Sequence, residues 1–163
     1  MKVNILNQQD DIALDLKLIG RVSSYISDKF DQDKKCEVNI IFVPRSNIRQ
    51  LNHQYRQSDK ETDVLSFSYL SEKDKQDIRE TIEQGKDTHG FYTLGEIIIC
   101  PAVASENARE QKDGWDFYLE LFLLIIHGFL HIYGYDHEQK EEREKMFDIQ
   151  NSMLEDVRKT FNL

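Results

Sequence analysis

The chain has 163 residues, 39% of them hydrophobic and 10% aromatic, which suits one domain over residues 1–163 with a real core. Its formal net charge of −9 excludes a protein coated in basic surface for nucleic acid, so any RNA contact has to be focal or shared with a partner. The N-terminal MKVNILNQQDD lacks a signal peptide's apolar core, and the longest apolar run, Leu121 to Ile126, is too short to cross a bilayer; a soluble, cytoplasmic protein with no membrane contact is expected.

KVNILN (2–7) reads as a short strand. Residues 11–30 place Ile12, Leu16, Ile19, Val22, Ile26 and Phe30 at steps of three and four, which predicts an amphipathic helix. CEVNIIFVP (36–44) is β-branched and ends at Pro44, the pattern of a strand. SNIRQLNHQYR (46–56) predicts a helix with Ser46 as N-cap and Ile48, Leu51 and Tyr55 on one stripe. DVLSFSY (63–69) alternates as a strand, with Val64, Ser66 and Ser68 on one face and Leu65, Phe67 and Tyr69 on the other. Residues 71–90 are charged throughout, as in a solvated helix or loop. TLGEIIIC (93–100) predicts a strand, and Pro101 opens a helix to about Lys112. A long helix follows from Trp115 into the segment HGFLHIYGYDH, and a last one spans 138–158 with Met146, Ile149, Met153 and Val157 as its stripe. Cys36 and Cys100 fall in separate strand-like runs and are expected to be reduced and buried.

This order predicts an α+β fold: one small mixed sheet of about four strands packed with about five helices. The metal site is expected on a C-terminal helix and the turn after it. His127 and His131 are four apart, which on a helix sets both imidazoles on one face about 6 Å apart along the axis. Gly134 can end that helix in the left-handed conformation and turn the chain so that His137 reaches the same ion. Three histidines leave a fourth tetrahedral position for water or substrate, the mark of a catalytic zinc site, where the pKa of water falls toward ~7. Taken singly, His53 and His89 read as structural. The spacing also matches the metzincin protease pattern, but the residue after the first histidine is Gly128 where those enzymes carry their glutamate base.

HGFLHIYGYDH closely resembles the signature of the YbeY family of bacterial single-strand-specific endoribonucleases. LNHQYRQSDKETDVLSFS (51–68) looks like the family's Asn-x-x-Tyr-Arg and Asp-x-x-Thr-Asp-Val-Leu-Ser-Phe blocks, and LGEIIIC is similar to its Gly-Asp-Ile strand. Glu61 and Ser68 stand where the family often has proline, Glu96 where aspartate is commoner and Cys100 where serine is frequent; none is an expected ligand. The resemblance implies one zinc ion on His127, His131 and His137, and a functional arginine that maps onto Arg56. It implies action on single-stranded rRNA in 16S 3′-end processing and ribosome quality control, with the small subunit and assembly factors as partners. A guanidinium can bind two phosphoryl oxygens in a fork as charge builds on them. Alone, Arg56 reads as a surface residue paired with Asp59 or Glu61. Asp136 is expected to orient a histidine or cap the turn, ahead of a third role as acceptor of a proton from the zinc water. Thr62, Asp63 and Ser66 either line the cleft or serve turn and strand. Two other functions fit the residues: a metal-dependent hydrolase of a non-RNA substrate such as a peptide, and a non-catalytic, zinc-containing ribosome-assembly factor. Three histidines also suit nickel or copper.

Overall fold

A computed structural model describes residues 1–30, 36–71, 73, 92–111, 114–135 and 140–163. Among them lie β1 (Lys2–Asn7), α1 (Leu16–Phe30), β2 (Cys36–Phe42), α2 (Arg45–Arg56), β3 (Val64–Ser68), β4 (Tyr92–Ile99), α3 (Pro101–Glu110), α4 (Phe117–Ile132) and α5 (Lys140–Phe161). The fold is α+β; among the described residues four strands form one mixed sheet with the five helices named, in line with the small mixed sheet of about four strands and about five helices expected from sequence. The charged segment between β3 and β4, with His89, lies outside the described residues apart from Ser71 and Lys73, and so does Lys112.

Strand order is β1-β2-β4-β3. β1 and β2 pair in parallel, as do β2 and β4, while β3 runs antiparallel to β4 as an edge strand. Alternation splits the side chains between two faces. On one face Val38, Ile40, Phe42, Val64, Ile97 and Ile99 join residues of α1, α4 and α5 in the main core. On the other, Leu65, Ile98 and Cys100 meet Val43 and Ile48, with Phe67 and the first turn of α3 at the margin. Cys36 and Cys100 are buried thiols, as expected.

Four local expectations need correction. α1 begins at Leu16, not near Asp11, because side chains close the chain before it. Gln9 holds Ile12 from both sides: its Oε1 accepts the Ile12 N–H (2.9 Å) and its Nε2 donates to the Ile12 carbonyl (3.0 Å). Asp15 Oδ1 then accepts from the Leu18 N–H at 2.9 Å, an N-terminal cap. In α2 the cap position belongs to Pro44, whose backbone is extended and whose carbonyl accepts from the N–H groups of Asn47 and Ile48; Ser46 sits inside the first turn. α4 begins at Phe117, with Asp116 as cap through Oδ1 to the Leu119 N–H at 2.8 Å. In α5 the buried stripe is Met146, Gln150, Leu154 and Val157; Ile149 and Met153 lie at its partly buried margin.

Candidate metal centre

α4 is a rigid base for a site. Leu119–Ile126, the run LELFLLII, is buried almost throughout, and the helix packs on β3, β4, α1, α3 and α5. At its C-terminal end Phe30 of α1 stacks on both Phe129 and Tyr133, at 5.3 and 5.1 Å between centroids. His127 and His131, both half-buried, stand one turn apart on this helix. Their Nε2 atoms are 3.0 Å from each other, with the rings at 76°.

His127 is held by α5. Its Nδ1 lies 2.9 Å from Gln150 Oε1, so the ring donates there and presents the Nε2 lone pair on the side of His131. Two nitrogens bound at ~2.0–2.1 Å to a tetrahedral zinc lie about 3.3 Å apart. The observed pair therefore fits two positions of a metal ion after a shift of a few tenths of an ångström. His137 and Asp136 lie outside the described residues, and within those residues no group of three His, Cys, Asp or Glu side chains converges on a point.

The turn after the helix has the expected form. Gly134 adopts φ +84°; its N–H donates to the His131 carbonyl and the Tyr135 N–H to the Leu130 carbonyl, both at 3.0 Å. This is the Schellman arrangement, which ends the helix after Ile132 and turns the backbone at Gly134. Gly128 has a different reason. A Cβ there would lie 2.6 Å from Ile97 Cγ2 and 2.9 Å from its Cγ1 and Cδ1. Position 128 thus faces the sheet at close approach and has no room for a glutamate base.

Arg56 ends α2 in an exposed position. The carboxylates expected to hold it are engaged elsewhere: Asp59 takes Arg49 in a two-pronged pair (2.8 and 2.9 Å), and Glu61 takes Arg45, which also binds Glu106. Among the described residues no carboxylate pairs with Arg56. The edge strand links its neighbourhood to the histidine helix. Tyr55, the residue before Arg56, packs edge-on against Phe67 at 4.8 Å, and the next residue, Ser68, donates through Oγ to the Ile132 carbonyl at 3.1 Å. The last turns of α2 and α4 thus meet one two-residue step of β3 from opposite faces.

Asp63 has a structural task. Its Oδ1 accepts from the Val64 N–H (2.8 Å) and the Thr62 hydroxyl, and its Oδ2 from Asn107 Nδ2 (3.0 Å). Near it Glu120, 4% exposed, accepts from Trp115 Nε1 at 2.8 Å. Desolvation first, then the Asp63 charge, push the Glu120 carboxyl above its ordinary range against the opposing Trp115 hydrogen bond.

Gln150 is the residue that the apolar pattern misses. Its signal is a glutamine in the i, i+4, i+8 series Met146, Gln150, Leu154, a polar group where a core residue belongs.

The family model described as Endoribonuclease YbeY matches residues 4–158. A protein of Bacillus velezensis named Endoribonuclease YbeY is 34% identical over 155 residues, covering 94% of each chain. One of that name from Staphylococcus carnosus is 40% identical over 128 residues, 78% of this chain and 75% of its own. A Thermotoga maritima protein, TM1509, solved in solution, superposes with a TM-score of 0.62 at 30% identity, covering 99% of this chain and 92% of that one.

Proposed function

The chain belongs to the YbeY endoribonuclease family, and from that premise we propose that it is a metal-dependent endoribonuclease cutting single-stranded ribosomal RNA. The observation that carries the metal part is the His127–His131 pair: two Nε2 atoms 3.0 Å apart on a rigid helix, one ring fixed by Gln150, with the chain reversing at Gly134. His127 and His131, with His137 beyond the turn, would hold one zinc ion. When bound, zinc supplies a Lewis acid that makes water a competent nucleophile near neutral pH and draws charge from a phosphoryl oxygen.

The protein's own groups divide the remaining work. Gln150 keeps the His127 lone pair on Nε2. Arg56, with its guanidinium uncommitted to the carboxylates of its own loop, binds two oxygens of the scissile phosphate and stabilises the charge that grows there. α4 fixes the histidine pair to the sheet. In the cytoplasm the proposed substrate is the 3′ end of 16S rRNA, during maturation and quality control, with the small subunit and assembly factors as partners. Docking on such partners offsets the unfavourable charge of −9. Peptide hydrolysis fits less well, because position 128 is packed against Ile97 where the zinc proteases carry their base.

The test compares wild type with His127→Ala and Arg56→Glu on a single-stranded RNA, its duplex and a peptide library, with zinc content measured for each. The expected outcome is cleavage of the single strand by wild type only. His127→Ala loses zinc; Arg56→Glu keeps it and loses activity by about a hundredfold or more, the scale of one charge-stabilising group. RNA cleavage that survives in both variants would overturn the assignment.

A further inference from the structure

Among the described residues the second face of the sheet is covered at one end. There α2 and the first turn of α3 pack over Leu65 and Ile98. Toward the other end of the edge strand, Phe67 and Tyr69 stand on the same face and Tyr55 joins them from the last turn of α2. Tyr55 is 59% exposed and Tyr69 56%. Among the described residues Leu6, Leu16 and Phe147 are the other large apolar side chains so exposed, and they belong to β1, α1 and α5. The two tyrosines are thus a cluster, not part of a scatter.

The cluster is built, not loose. Phe67 backs Tyr55 edge-on, the Tyr69 N–H donates to the Leu94 carbonyl at 2.9 Å, and the Tyr69 phenol lies beside Glu96. Partial desolvation and that carboxylate push the phenol up to about 12, so it stays a neutral donor. Arg45 and Arg49 of α2 are tied to carboxylates, whereas Arg56, adjoining Tyr55, pairs with none among the described residues. Through the Phe67–Ser68 step the cluster borders the end of the histidine helix.

We infer that Tyr55 and Tyr69, supported by Phe67, form a stacking platform for an unpaired nucleobase, with Arg56 on the phosphate beside it. This rests on the reading of the chain as a single-strand endoribonuclease and gives that preference a physical origin. A chain of charge −9 gains little from general attraction to phosphates, so affinity has to come from contacts that charge does not oppose. Stacking on exposed aromatic rings is such a contact, and it is open only to bases not already stacked in a duplex.

The experiment uses the full chain in the His127→Ala background, so that the strand stays intact. Binding of a labelled single-stranded oligoribonucleotide, of the same strand with abasic positions and of its duplex is followed by anisotropy. Tyr55→Leu and Tyr69→Leu are each expected to weaken single-strand binding about tenfold, the scale of one stacked base, while Tyr55→Phe and Tyr69→Phe stay within about twofold of the parent. Tyr55→Trp supplies a second readout: its emission is quenched by the single strand and not by the duplex. Leucine variants that bind like the parent, or an abasic strand that binds as well as the intact one, overturn the platform. If wild type cuts RNA and the leucine variants cut equally well with unchanged KM, the platform fails and the nuclease assignment stands. If tryptophan quenching is strand-dependent yet no preparation cuts RNA, the nuclease assignment fails and the platform stands.

Discussion

Gln150 determines which nitrogen of His127 carries the proton. An imidazole in water exchanges between tautomers, and a ligand has to present a lone pair, so an acceptor 2.9 Å from Nδ1 selects the useful form before any ion arrives. Replacing Gln150 by leucine keeps the volume in a buried position and deletes the acceptor. The expected result is a tenfold to hundredfold loss of affinity for the proposed zinc, read by competition with a chromophoric chelator, with a circular dichroism spectrum like wild type. Gln150→Glu retains an acceptor and is expected to retain affinity. Equal affinity in the leucine variant would show that the ring is oriented by something else. His127 and His131 are legible in sequence because their relation is local: a spacing of four on a helix. Gln150 acts across 23 residues, from a helix whose apolar stripe reads almost as well through Ile149 and Met153, and only packing decides between the two registers. Arg56 is legible as a position, but the engagement of its neighbours Asp59 and Glu61 by Arg49 and Arg45 appears only in three dimensions.

At the scale of elements, the contact between α4 and β4 sets where the histidines sit. Gly128 lets the helix lie directly on Ile97, and a methyl group at 128 would meet three atoms of that one side chain within 3 Å. Gly128→Ala is expected to cost about 1–3 kcal/mol, as overpacking of a tight core does. Ile97→Ala alone creates a cavity and is expected to cost about 2–5 kcal/mol. Because the added methyl occupies part of the space vacated, the double variant is expected to fall short of the sum by about 1 kcal/mol or more in urea melts; strict additivity would refute direct contact. In sequence Gly128 is a missing protease base. In the structure it is also the residue that brings the helix against the sheet. The element borders that apolar periodicity misplaces, at Leu16, Arg45 and Phe117, are decided by side chains of Gln9, Asp15 and Asp116 and by the extended backbone of Pro44, none of which that periodicity registers.

For the whole molecule the element order was enough to predict an α+β fold, but the strand order was not, since pairing of β4 between β2 and β3 is a long-range choice that local pattern does not encode. Stability should carry the mark of one buried acid that this packing encloses. Glu120 sits among α3, the segment before α4 and the Asp63 turn, with its pKa raised chiefly by desolvation. The folded state therefore binds its proton more tightly than the unfolded state does. That contribution is full below the ordinary value of 4.5 and is lost as pH rises through the raised value. Glu120→Gln keeps an acceptor for Trp115 and removes the charge. Its Tm relative to wild type is expected to climb as pH rises from 4.5 toward 8. Asp59 and Asp156, held low by Arg49 and by Lys29, act in the opposite direction in both proteins and cancel in the difference. A difference that stays flat across this range would show that Glu120 is not strained by its charge.

The place of β4 in the sheet also orders events during biosynthesis. A nascent chain that has emerged to residue 70 contains β1, β2 and β3, yet of these only β1 and β2 are neighbours. The inner edge of β2 and the whole of β3 wait for Tyr92–Ile99, and the sheet's main face waits for α4, which ends at residue 132 of 163. Until then open strand edges are exposed to other chains, the usual hazard of late-closing sheets. The same helix that covers the sheet carries His127 and His131, and the Gln150 contact that orients His127 comes from α5, so the pair is set in its final surroundings only after the last helix has been made.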